Sequence, residues 1–320
     1  MGGCTSTSVT EKYQDKRNDI INVKDKVIEF ETGNVLIGSV SRLYMSNKCL
    51  LIADHKSVDK QIHIFNKNDF SYLTSIGNFG EGPEEITVMG CLAIDEAHHQ
   101  LYVSDHAKQK IFSYDMDSVM VDSLYKPQVK TAMNETLFPS EYQYINDTLS
   151  IAVLIKPTST STFNQFLGRW NMNTGEMIPM KYTHPDIQKK RITFAASEKA
   201  GIYVECYTRH DLMTICSLDG ELLYNIYGPD WDGGNGNKLQ SFGTVMIGND
   251  KIFVSYCGED YARDSFPTKI LVFDLEGNYL KTLETGYKIS DCCYDSFNNR
   301  IILSLNDVVQ FAYLDIDGII

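Results

Sequence analysis

A chain of 320 residues with 43% hydrophobic and 11% aromatic residues has ample apolar surface for a packed core, which excludes low-complexity disorder as a description of the whole. Forty-two acidic residues against twenty-nine basic ones leave a formal net charge of −13, a balance that repels phosphate backbones and argues against nucleic acid as a partner. No stretch approaches the roughly 18 apolar residues of a spanning helix. In chain order, the first feature is MGGCTSTS, which sets Cys4 after two glycines and before a small polar run. That is how a bacterial lipoprotein reads once its apolar signal region has been removed. The same letters satisfy the myristoylation pattern M-G-x-x-x-[ST]. Either reading makes the front end a lipid anchor and the membrane a partner only through it, at the cell envelope; the plainer alternative is that so short a motif arises by accident. Residues 1–26, mixed in charge and without pattern, are expected to be a tether, and 27–320 the folded domain.

From residue 50 onward one β-rich pentad recurs: LLIAD, LYVSD, LSIAV, IYVEC, IFVSY and IILSL begin at residues 50, 101, 149, 202, 252 and 301, a period of about fifty. A second β run follows each (QIHIF, KIFSY, QFLGRW, LMTIC, KILVF, VVQFAY), then a turn rich in Asp, Asn or Gly such as FNKND, YDMDS, SLDGE or DLEGN. Most turns lead into a further β run, and before each pentad lies another, as in YQYINDT and VMIGND. Four short strands per unit and six units predict an all-β, six-bladed β-propeller of four-stranded antiparallel blades. The last unit lacks its fourth strand, and VIEFET at 27–32 precedes the first full unit. This N-terminal strand is expected to pair into the last blade and close the ring. The seven cysteines after Cys4 form no C-x-x-C and read as small core residues.

Between the first two units runs IGNFGEGPEEI at 76–86. A phosphate loop would continue with Lys and a helix; here glycines and Pro83 instead suit a blade-to-blade crossing. With this linker the chain resembles the six-bladed, TolB-like and NHL-like propeller lipoproteins of Bacteroidetes, from about residue 27 to 318. The resemblance implies the fold and is nearly silent on activity.

On a propeller the loops between second and third strands share a face with the crossings, and all the long insertions fall there: 156–164, 227–240 and 257–269. Long loops on a rigid scaffold are where binding resides. The sharpest patch is Asp230, Trp231 and Asp232 with Glu259, Asp260, Tyr261 and Arg263, in which Trp231 either stacks on a ligand or folds down onto its own blade. DWDGGNGN also hints at calcium, although its Gly is misplaced for an EF-hand. Asp54-His55 and Asp105-His106 occupy matching places, and Arg209-His210-Asp211 falls near the same place. His55, His106 and His210 therefore form a candidate zinc set, which the amidating-lyase members of the resembled class imply. The bland reading is turn-capping aspartates and solvated imidazoles. Among the first strands Arg42, Tyr142, Arg191 and Asp291 are expected to line the channel, with Tyr44, Glu141 and Tyr144. The G-x-S-x-G, H-E-x-x-H and P-loop motifs are missing. The expectation is therefore a non-catalytic envelope propeller that binds a protein or glycan on its long-loop face, with no cofactor. The alternative is a metal-dependent hydrolase or lyase of the NHL-like class acting at the channel mouth, with zinc or calcium.

Overall fold

The computed structural model describes residues 10–320 apart from 123 and 237. The expected anchor at Cys4 lies outside them. Six sheets account for the repeats: blade 1 spans strands from Ser41 to Asn78, blade 2 from Met89 to Ala132, blade 3 from Phe138 to Pro179, blade 4 from Ile192 to Tyr227 and blade 5 from Leu239 to Glu284. Blade 6 combines three strands between Ile289 and Asp315 with an N-terminal one. Strands that follow one another in the chain pair antiparallel. In blades 1, 4 and 6 the second strands, Cys49–Asp54, Ile202–Tyr207 and Arg300–Leu305, are buried at every position. A strand inside a sheet that is covered on both faces has no polar side, so it reads as an unbroken apolar run, which is why the pentads stand out in the sequence.

The chain divides into two compact units. One joins Lys26–Met180 to Ser290–Ile319 and carries blades 1, 2, 3 and 6; the other joins Lys181–Ile289 to the N-terminal residues up to Asp25 and carries blades 4 and 5. Within the first, Leu51, Ile62, Leu92 and Val103 pack blade 1 on blade 2, and Leu50, Ile52, Ile302 and Phe311 pack blade 6 on blade 1. Within the second, Val204, Ile215, Val254 and Phe273 join blades 4 and 5.

The N-terminal segment supplies three strands, β1 (Glu11–Tyr13), β2 (Ile20–Asn22) and β3 (Ile28–Glu29). As expected, β3 completes the last blade: Ile28 and Glu29 pair antiparallel with Tyr313 and Ala312. Phe30 then stacks on Phe70 with ring centroids 3.9 Å apart. The expectation of a patternless tether up to residue 26 needs correction. β1 runs parallel to the outer strand of blade 4, with Glu11 opposite Asn225, and β2 runs parallel to the outer strand of blade 5, with Ile20 opposite Thr282. Both blades thereby gain a fifth strand that covers their edge. A second correction concerns YDMDS. Between the third and fourth strands of blade 2 the chain forms a short helix, α1 (Met116–Val121), because Asp115 caps it by accepting from Ser118 N at 2.7 Å.

IGNFGEGPEEI is indeed a crossing. The Glu85 carboxylate accepts from Gly82 N at 2.7 Å, and Lys108 Nζ donates to the carbonyls of Gly82 and Glu85, each at 2.6 Å. A Cβ at Gly80 would stand 2.0 Å from that carboxylate, so only glycine fits.

Candidate functional site

In the unit of blades 1, 2, 3 and 6, four polar side chains meet at the long-loop ends of the first and second strands. Arg42 Nη1 lies 2.7 Å from Glu141 Oε1, a pair that reaches from blade 1 to blade 3 with side chains 47% and 36% exposed. His55 and His106 stand beside it at equivalent points, each directly after a second strand. Their backbone N–H groups donate to Val40 O and Val88 O respectively. His55 Nδ1 lies 3.2 Å from Met89 O, and the His106 ring packs edge-on to Phe138 and against Gly90. The Nε2 atoms of both are buried without a hydrogen-bond partner. Burial lowers the pKa of His55, and the Arg42 cation lowers it further. Burial likewise lowers His106, against the partial opposition of Asp105 and Glu141. Two neutral imidazoles beside a half-exposed guanidinium–carboxylate pair make a polar mouth able to receive a charged or hydrogen-bonding group.

The other channel residues of this unit are structural. Asp291 accepts from Leu43 N at 2.8 Å and so joins the first strands of blades 6 and 1. Tyr142 is buried and meets Trp170 edge-on at 5.1 Å, so the expectation that it lines a channel is corrected: its ring belongs to the core between blades 2 and 3.

In the unit of blades 4 and 5, the long-loop patch separates into two groups. Trp231 folds down: its ring lies 5.0, 5.6 and 5.9 Å from those of Tyr227, His184 and His210. Asp232 closes its own loop by accepting from Gly234 N and Gly236 N, and its Oδ1 lies 3.7 Å from His210 Nδ1. The Asp232 oxygens that the calcium reading needed are thus engaged by the loop backbone, and Asn237 lies outside the described residues. Asp230 Oδ2 is within 3.4 Å of Tyr256 OH. The second group is exposed. Glu259 pairs with Arg263 at 2.9 Å, Asp260 caps the turn by accepting from Ala262 N, and the Tyr261 ring carries the Arg209 guanidinium 4.0 Å from its centre. Arg191 donates to Lys190 O.

The three histidines of the zinc set are not equivalent in the repeat. His55 and His106 share one position in the repeat, but its counterpart in blade 4 is Thr208, whose N–H donates to Arg191 O in the same way. His210 sits two residues further on, turned toward Trp231. The aspartates do serve as turn caps: Asp54 accepts from Gly38 N and Lys56 N, and Asp105 from Thr87 N and Ala107 N.

Among the described residues, one group brings three metal-competent atoms within 4.8 Å of one another: Asp95, His98 and Asp147, on the short-turn side of blades 2 and 3. His98 Nδ1 is 2.9 Å from Asp95 Oδ2, which also accepts from Tyr102 OH at 3.1 Å. Burial alone would raise Asp95, yet the hydrogen bonds from His98 and the tyrosines outweigh it and hold the carboxyl below its ordinary range. The sequence signal for this cluster was DEAHH at 95–99, which contains the one pair of adjacent histidines in the chain.

Sheets of this number, strand order and repeat define a six-bladed β-propeller. The family model for the 6-bladed beta-propeller family DUF5128 matches residues 6–165, half of the chain, and the chain belongs to that family. Among solved structures, the chain is similar to a candidate exported protein of Bacteroides fragilis, with 13% identity and a TM-score of 0.59 over 92% of this chain and 87% of that one. It is similar to a DUF4221 member from Bacteroides vulgatus, with 11% identity and a TM-score of 0.59 over 94% and 98%. It also resembles a luciferin-regenerating enzyme, at 8% identity and a TM-score of 0.59 over 90% and 94%. Identities this low show the fold alone, and a fold shared with an enzyme does not carry the enzyme's chemistry across. No curated protein matches the sequence.

Proposed function

We propose that this propeller is an exported cell-envelope protein, lipid-anchored at Cys4, that binds a partner protein on its long-loop face without altering it chemically. The observation that carries the reading is a set of bare aliphatic side chains on that face of blades 6 and 1: Leu36, Val58 and Val308 are 94%, 81% and 99% exposed. Their loops are tied together, since Gln310 Nε2 donates to Ile37 O and Gly38 N donates to Asp54. Single exposed apolar side chains are common, but three of them gathered on loops tied to one another supply the kind of apolar patch that a partner protein covers. The Arg42–Glu141 mouth adds a polar centre that fixes register more than it adds affinity. Export draws support from the family likeness to envelope proteins in the sequence and from the exported Bacteroides neighbour.

A glycan is the second reading. It rests on Tyr261, an exposed ring flanked by Glu259 and Asp260 that is able to stack on a sugar.

The test is affinity capture from the envelope fraction of the source bacterium with the wild-type chain, Leu36→Asp/Val308→Asp and Tyr261→Ala. A partner retained by wild type and lost only by the aspartate variant supports the protein reading. Loss only with Tyr261→Ala favours the glycan, and equal capture by all three overturns both. Fractionation of Cys4→Ala checks the anchor: the variant is expected in the soluble fraction.

A further inference from the structure

The short-turn side of blades 1 and 2 carries a groove of about 420 Å³, away from the long-loop face. It exists because of α1. Val119 fixes the helix in the core, and Met116 and Met120, one helical turn apart, form one wall of the groove. Leu73 and Ile94 supply the rest of the accessible apolar lining, with the buried Leu51 behind them. The volume lies in the range of small-molecule sites, and methionine walls adapt to ligands of different outline.

The rim has a definite charge pattern. Glu96 is held over the mouth by accepting from Asn47 N of blade 1 at 2.7 Å. Asp117 is held by His99 Nδ1 at 2.7 Å, and His99 reaches it from a left-handed backbone position, φ 54°. Asp95 lies beneath them. Three carboxylates thus border the groove against one lysine, Lys48, in a chain already at −13. A cation entering this mouth gains attraction on both sides, whereas an anion meets two fixed like charges.

We propose that the groove binds a small amphiphilic amine: a short alkyl or arylalkyl body lies between Leu73, Ile94 and the two methionines, and its ammonium group sits between Glu96 and Asp117. The site is independent of the long-loop face and of any partner bound there.

The test uses octylammonium, octanoate and octanol as probes at equal concentrations below micelle formation, read by methionine-methyl NMR and calorimetry on the full chain. Octylammonium is expected to shift the Met116 and Met120 signals and to bind about tenfold more tightly than octanoate. Glu96→Gln combined with Asp117→Asn is expected to reduce octylammonium to the level of octanol, and Met120→Trp to fill the groove and abolish binding of all three. The paired amide substitutions lie on exposed side chains, so they decide the matter even if the tryptophan variant fails to fold. Absence of methyl shifts with every probe, octanoate binding as tightly as octylammonium, or octylammonium binding unchanged in the paired amide variant would each overturn the proposal.

Discussion

Two guanidinium–carboxylate pairs of nearly equal length do opposite work in this protein. Arg42 and Glu141 meet at 2.7 Å with 47% and 36% of their side chains exposed. Arg17 and Asp211 meet at 2.8 Å with 7% and 0% exposed, and the Arg17 guanidinium lies over the rings of Phe242, Tyr256 and Phe273 at 5.3 to 5.7 Å. Water screens the first pair, so it contributes little to stability and stays available to a ligand. The second cannot be screened. Burial pushes the Asp211 carboxyl above its ordinary range even though Arg17 opposes this, so each partner depends on the other. Distance alone does not tell a pair that holds the fold from one left open to solvent; exposure does.

The comparison is most severely tested at Arg17. Arg17→Ala strands the Asp211 carboxylate in the core and is expected to cost roughly 3–5 kcal/mol in urea unfolding, whereas Arg17→Met with Asp211→Leu should recover most of it. Similar losses for the single and double variants would show that the packing of the N-terminal segment, not the ion pair, stabilises this unit. Next in size is Gly228→Ala. A Cβ there would stand 2.1 Å from Asp211 Cγ, and the overpacking should cost about 1–3 kcal/mol.

Acidification comes third. His55, His63, His106, His184 and His210 are all lowered, by burial first. The unfolded chain therefore takes up protons near pH 6.5 that the folded chain refuses, and stability falls as pH drops below that value. His98, raised by Asp95, works in the other direction. Urea midpoints measured between pH 7.5 and 5.5 should fall, and His55→Gln with His106→Gln should flatten the slope. The smallest effect belongs to Arg42→Ala, expected to change stability by no more than about 1 kcal/mol and to lose even that in high salt. A larger loss would move Arg42 into the structural class.

Blade number, strand order and the closing role of residues near 28 were legible in the sequence because strands buried on both faces print continuous apolar runs at a fixed period. β1 and β2 were not. EKY and IIN are three residues each, with no periodicity, and the blade edges they join supply their hydrogen-bond register. α1 hid behind an Asp that serves equally in turns and as a helix cap. At the candidate site, Arg42, His55 and His106 were readable as polar residues at strand ends. What chain order conceals is which blades they bridge: Glu141 lies two blades beyond Arg42, and His210 is displaced by two residues from the place that the repeat suggested.

The pairing of Ile28 with Tyr313 orders events during synthesis. Ile28 and Glu29 have no strand partner until the segment around Tyr313 has been made, and β1 and β2 wait in turn for blades 4 and 5. The nascent chain therefore carries these three strands unengaged until the blades they complete have emerged, and such sequence-distant pairings form late in folding.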